Sequence, residues 1–259
     1  MKTNPIGIFD SGVGGTSIFK EIHELLPYEN CIYLADSKNA PYGNKSKEEI
    51  LQLCIKNTEL LLSKNCKIII VACNTATTNA ISYLRHHYNI PIIGIEPAIK
   101  PAALKTKTKA IGILATKGTL SSELFHKTSD LFASGITVIE QDGHGIVPLI
   151  EGGKLQSNEM IALLKKHLKP MLKENIDYLV LGCSHYPYLI PILKELLPKD
   201  VTIIDSGLAV AKQTKAILIA NSLLNTSVAK PDIKLYSNGD VDILSNILNH
   251  NFKVSYLEF

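Results

Sequence analysis

Short apolar runs rich in β-branched residues alternate with longer amphipathic stretches along the whole chain. That alternation predicts parallel strands joined by crossover helices, an α/β fold. Strands are expected at Ile6–Phe9, Cys31–Ala35, Lys67–Ala72, Ile92–Ile95, Ala110–Ala115, Ile136–Ile139, Tyr178–Gly182, Val201–Ile204, Ile233–Tyr236 and Val254–Tyr256, with helices in most of the gaps. Ser46 and Glu49 have the spacing of a capping box for a helix running through Leu62. Pro187 and Pro191 fall early in the helix expected after Cys183, where proline is tolerated.

The pattern repeats itself. Lys67-Ile68-Ile69-Ile70-Val71-Ala72-Cys73-Asn74-Thr75 can be laid over Asp177-Tyr178-Leu179-Val180-Leu181-Gly182-Cys183-Ser184-His185, each with a cysteine at the end of its strand. A fainter echo links Ile6-Gly7-Ile8-Phe9-Asp10-Ser11 to Ile111-Gly112-Ile113-Leu114-Ala115-Thr116. Two similar α/β units follow. Ligands of open parallel sheets bind beyond the carboxyl ends of the strands, which puts Asp10, Ser11, Cys73, Asn74, Thr116, Cys183 and His185 at such an edge. If the units face each other, one cysteine lies on each side of a shared cleft.

Composition narrows the chemistry. At about 150 residues per domain, 259 residues make one large domain or two smaller ones. A net charge of +3 with no clustered basic face argues against a nucleic-acid partner, and Lys105-Thr106-Lys107-Thr108-Lys109 reads as a solvated turn. Arg85 is the only arginine, so anions must be held by hydroxyls, lysines and backbone N–H groups. Five cysteines without a Cys-x-x-Cys pair fit neither a disulfide framework nor a zinc site. The N-terminus has no signal-peptide core and no apolar run approaches membrane length, so a soluble cytoplasmic protein is expected.

Four constellations carry candidate chemistry. Asp10-Ser11-Gly12-Val13-Gly14-Gly15-Thr16 leads from a strand through glycines into a helix beginning near Gly15; it matches neither the dinucleotide fingerprint nor a Walker loop, yet its N–H groups would favour an anion. Cys73 and Cys183 each sit where a strand meets a helix, a position expected to lower a thiol pKa, whereas Cys31, Cys54 and Cys66 read as core. His185 and Glu151, the latter in Pro148-Leu149-Ile150-Glu151-Gly152-Gly153, are candidate acid–base helpers. Pro41-Tyr42-Gly43, in the loop opening at Asp36, could present the Tyr42 and Gly43 N–H groups to a carboxylate.

Through Gly7-Ile8-Phe9-Asp10-Ser11-Gly12-Val13-Gly14-Gly15, Pro41-Tyr42-Gly43, Ala72-Cys73-Asn74-Thr75 and Gly182-Cys183-Ser184-His185-Tyr186-Pro187, the chain resembles bacterial glutamate racemases over nearly its full length. The resemblance implies a cofactor-independent enzyme that interconverts L- and D-glutamate and supplies D-glutamate for peptidoglycan. It also implies two pseudosymmetric three-layer α/β domains with the active site in the cleft between them. One would comprise residues 1–98 plus 207–259 and the other 99–206, and the protein would form a homodimer. Cys73 would act on the D-isomer with help from Asp10, and Cys183 on the L-isomer with help from Glu151 and His185. Asp10, Ser11, Pro41, Tyr42, Gly43, Asn74, Thr75, Thr116, Ser184 and His185 would line the glutamate site. The family usually has threonine where this chain has Ser184, and Gln141-Asp142-Gly143-His144-Gly145 lacks the Cys-Pro that many relatives carry before Glu151.

Three other readings stand beside this one. Aspartate racemases share the two-thiol chemistry, but their second cysteine motif typically ends in glutamate where this chain has His185, and they lack the Asp10-Ser11 opening. A pyridoxal-phosphate racemase needs a Schiff-base lysine, and no lysine here sits in a distinguishing motif. A two-domain amino-acid binder would gain nothing from two strand-end thiols.

Overall fold

A computed structural model describes residues 2–259. Through the first part of the chain the elements run β1 (Ile6–Asp10), α1 (Thr16–Leu25), β2 (Cys31–Ala35), α2 (Lys47–Ser63), β3 (Ile68–Val71), α3 (Asn74–His87), β4 (Ile92–Gly94) and α4 (Ile99–Lys105). Then follow β5 (Ala110–Ala115), α5 (Lys117–Leu120), α6 (Glu123–Phe132), β6 (Thr137–Asp142), α7 (Ile146–Glu151), α8 (Asn158–Lys173), β7 (Tyr178–Gly182), α9 (Ile190–Leu196) and β8 (Thr202–Ile204). The chain closes with α10 (Gly207–Ala220), β9 (Ile233–Ser237), α11 (Val241–Ile247) and β10 (Val254–Tyr256). All ten expected strands form, four with the expected bounds and the rest with ends moved by no more than three residues. The capping box at Ser46 and Glu49 is present in full.

The strands make two sheets, ordered β10-β9-β2-β1-β3-β4 and β6-β5-β7-β8, and every pairing is parallel. Inside the longer sheet the order β2-β1-β3-β4 corresponds to β6-β5-β7-β8, so the repeated sequence is a repeated topology. The central strands β1 and β3 are buried on both faces, as their unbroken apolar runs require, while the edge strand β6 is partly exposed. Alternate residues of the longer sheet feed two cores: Ile6, Ile8 and Tyr33 pack with Ile18 and Phe19 of α1, and Phe9, Leu34 and Val71 pack with Ile50, Leu61 and Leu84 of α2 and α3. Helix α10 packs on α1. The first core continues without a break into Leu114, Met160, Leu164 and Leu181 beside the second sheet, joining the two units.

Register positions the chemistry. Phe9 pairs with Val71, so Asp10 and Cys73 leave the same edge of the first sheet. Ala115 pairs with Gly182, which sets Thr116 beside Cys183 at the edge of the second.

Candidate active site

The two edges face each other across a narrow cavity lined by Ser11, Pro41, Tyr42, Gly43, Cys73, Asn74, Thr75, Thr116, Val147, Cys183, Ser184 and His185. Every one of the binding and thiol positions expected from sequence except Asp10 is in that lining, and Asp10 lies directly beneath it. The walls are nearly sealed: Cys73 is 4% exposed, Cys183 6% and His185 1%. A second, adjoining cavity shares Pro41, Gly43, Thr116 and Val147 and reaches the exposed Lys117.

Cys73 caps α3, its Sγ accepting the Ala76 N–H at 3.4 Å and lying 3.6 Å from Ser11 Oγ. The expected lowering of its pKa is not what the surroundings produce. Burial pushes the Cys73 thiol well above its ordinary value, and the Asp10 carboxylate adds to the rise, outweighing the lowering influence of its hydrogen bonds with Ala76 and Ser11. Cys183 precedes not an α-helix but a 3-10 turn, Tyr186–Leu189, before α9 begins. Its partner is His185, whose Nδ1 is 3.8 Å from Cys183 Sγ.

The opposite side of that imidazole finds Glu151. Glu151 ends α7, and its Oε1 is 2.5 Å from His185 Nε2. Burial alone would depress His185; its hydrogen bonds and charge interactions with Cys183 and Glu151 override that and hold it well above the usual histidine value. The same carboxylate crosses to the first unit, where Oε1 accepts the Val13 N–H at 2.7 Å and Oε2 accepts the Ser37 hydroxyl at 2.9 Å.

The glycine turn is therefore occupied by the protein's own carboxylates. Asp10 Oδ2 accepts the Gly15 N–H at 2.7 Å, and Glu151 takes Val13. A Cβ on Gly12 would fall 1.9 Å from Glu151 Oε1 and one on Gly14 2.2 Å from His185 Nδ1, so these glycines admit side chains from the facing unit. Burial raises the Asp10 carboxyl above its ordinary value, against the lowering influence of His185 and the Gly15 N–H. Ser184 donates to Asp10 at 3.2 and 3.3 Å.

Three threonine hydroxyls bridge α3 and α5: Thr75 to Thr116 at 2.7 Å, Thr116 to Thr119 at 3.1 Å, Thr75 to Thr119 at 3.3 Å. Asn74 is 3% exposed, lines the cavity, and has no partner on either Nδ2 or Oδ1. A buried amide without partners is costly and calls for a ligand offering both an acceptor and a donor. Arg85 is exposed on α3 and donates to Ile92 O at 3.0 Å, outside the cavity. Among the described residues no group of three or more His, Cys, Asp or Glu side chains is arranged to hold a metal ion, and no helix is long and apolar enough to cross a membrane.

Sequence reasoning missed Ser37, which bonds Glu151, and Asp36, which is fully buried and bonds Tyr42. The signal was available for Asp36: a charged residue directly follows an apolar strand at the edge already marked by Asp10 and Cys73. The Tyr42 hydroxyl is held in that buried network by Asp36 and Asn57.

The profile of the Asp/Glu/Hydantoin racemase family matches residues 6–214. A glutamate racemase of Ectopseudomonas mendocina is 46% identical over 245 residues, covering 94% of this chain and 93% of its own length. Among solved structures, glutamate racemase isoform RacE1 of Bacillus anthracis superposes with a TM-score of 0.88 at 31% identity, covering 100% of this chain and 98% of its own. Escherichia coli glutamate racemase, solved with L-glutamate and the activator UDP-MurNAc-Ala, gives 0.87 at 31% identity and 98% coverage of both. Two facing parallel α/β units with one strand-end cysteine apiece, matched over nearly the whole chain by these proteins, place it in the Asp/Glu/hydantoin racemase family.

Proposed function

We propose that the chain is a cofactor-independent glutamate racemase that moves the α-proton between two thiols. The observation that carries this reading is the pair Cys73 and Cys183 on opposite walls of one narrow, nearly closed cavity. One thiolate takes the α-hydrogen as a proton, the electron pair stays on Cα and is delocalised into the α-carboxylate, and the opposite S–H returns a proton to the other face. One proton leaves the substrate and one enters, so the step is balanced.

Each thiol has a group suited to assist it. Asp10, its carboxyl raised by burial, stands beside Cys73. Cys183 has His185, backed by Glu151, and an imidazolium there favours the thiolate. Cys73 serves the D-isomer and Cys183 the L-isomer. Glutamate's carboxylates meet hydroxyls, the Asn74 amide and the backbone of Tyr42 and Gly43 rather than guanidinium groups. The high burial of both thiols strengthens every fixed dipole around a carbanionic intermediate. The same walls require the units to part before a substrate can enter.

We assign residues 1–98 with 207–259 to one unit and 99–206 to the other, and we read the protein as a cytoplasmic homodimer supplying D-glutamate for peptidoglycan. Circular dichroism of L-glutamate with the purified chain and no added cofactor tests the activity: the signal is expected to decay to zero. Cys73→Ser and Cys183→Ser should each slow the decay by about 10^3-fold or more, equally from either enantiomer because their equilibrium constant is one. A static signal with wild type, or near wild-type turnover in either variant, would sink the reading.

A further inference from the structure

Asp36 is a fully buried carboxylate that the proton transfer does not use. It directly follows β2, and its backbone N–H donates to Asp10 O at 3.0 Å. Both carboxylate oxygens are engaged: Oδ1 accepts from Asn39 Nδ2 at 2.8 Å and from Asn238 Nδ2 at 2.5 Å, and Oδ2 accepts the Tyr42 hydroxyl at 2.5 Å. A carboxylate this deep is tolerated only where such donors replace its hydration. Two of the three donors belong to the loop 37–44, which carries Pro41, Tyr42 and Gly43 past the cavity. The third comes from the segment after β9.

Asn238 acts on the loop twice. Besides holding Asp36, its Oδ1 accepts the Lys38 N–H at 3.0 Å, and its Nδ2 also donates to Phe259 O at 3.2 Å. Within the loop, only short 3-10 turns at Ser37–Asn39 and Tyr42–Asn44 supply local backbone order. The Tyr42 hydroxyl is further fixed by Asn57 Nδ2 of α2 at 3.2 Å. The loop also meets the second unit, since a Cβ on Gly43 would come within 3.0 Å of Thr116 Cβ.

We propose that Asp36 and Asn238 are positioning residues for substrate recognition. They fix the 37–44 loop so that the Tyr42 and Gly43 backbone is set in advance against a substrate carboxylate, and through Asn238 the C-terminal segment takes part in that recognition. In a cavity without arginine, affinity for a dicarboxylate depends on dipoles already held in place, because each group ordered only on binding weakens it. This proposal rests on the glutamate-racemase reading.

The test compares steady-state racemisation of L- and D-glutamate by wild type, Asn238→Ala and the reciprocal double variant Asp36→Asn with Asn238→Asp. For Asn238→Ala, KM should rise about tenfold for both enantiomers with kcat held within about twofold, the signature of a lost charge-assisted bond that acts on binding. The double variant rebuilds the carboxylate–amide pair in reverse and should recover part of that KM. A merely structural role would lower kcat in proportion to the folded fraction, seen by thermal melting, and leave KM alone; that outcome, or no recovery in the double variant, overturns the proposal. A wild-type chain that does not racemise glutamate would instead defeat the functional reading itself.

Discussion

Cys73 and Cys183 differ in what surrounds them, although the sequence repeat makes them equivalent. Cys73 is deep, flanked by Asp10, and strongly disfavoured as a thiolate; Cys183 has an imidazole within 3.8 Å whose protonated form is stabilised from both sides. The cysteines were legible because a repeated motif ends in the same residue twice at the same strand edge. The Cys73 environment was not, because burial depends on what the other unit lays over it. His185 also carries a pH prediction. Its pKa is raised in the folded chain, so its contribution to stability is complete below the unfolded value of about 6.5 and is lost as pH rises through the folded value. The imidazolium that supports the Cys183 thiolate disappears over the same upper range. Glu151→Gln removes one of the influences that raise His185 and should move the alkaline limb of the kcat/KM profile to lower pH; an unmoved or upward-shifted limb would contradict the assignment.

Among the elements, the turn between β1 and α1 shows most clearly how local sequence is completed from afar. Its glycines and N–H groups read as an anion cradle, and the anions it holds are Asp10 and Glu151. Val13 and Glu151 are 138 positions apart, beyond any local pattern, and only the facing of two sheets brings them together. Strands were legible since parallel central strands must be apolar throughout, and the α2 cap since its two residues are neighbours in sequence. The 3-10 turn after Cys183 was not, because Pro187 is as acceptable in a 3-10 turn as in a first helical turn. The turn's dependence on Glu151 makes Gly12→Ala a sharp probe. A Cβ 1.9 Å from Oε1 must displace the carboxylate from Val13, Ser37 and His185 together. With the reacting geometry disturbed, kcat/KM should fall about 100-fold while the far-ultraviolet spectrum is retained. Full activity in that variant would show that Glu151 is not needed where the structure puts it.

At the scale of the molecule, one topology used twice supplies two edges, and the continuous core of Ile8, Phe19, Leu114 and Leu181 joins them. The two extra strands β9 and β10 extend only the first sheet, where Asn238 links them to the substrate loop. The paired α/β units were legible from the repeat. The Ser17–Ser184 and Thr16–Tyr188 bonds that seal the cleft were not, since nothing in either stretch marks the other as its partner. Two thiols on opposite walls, one at each face of Cα, carry the proton out and in. Racemisation of L-glutamate in D2O, stopped early and analysed for deuterium at Cα in each enantiomer, tests this transfer most directly. D-glutamate carrying deuterium and remaining L-glutamate carrying almost none are expected. Protium retained in the product, or equal labelling of substrate and product from the first turnovers, would mean a single base serving both faces and would contradict it.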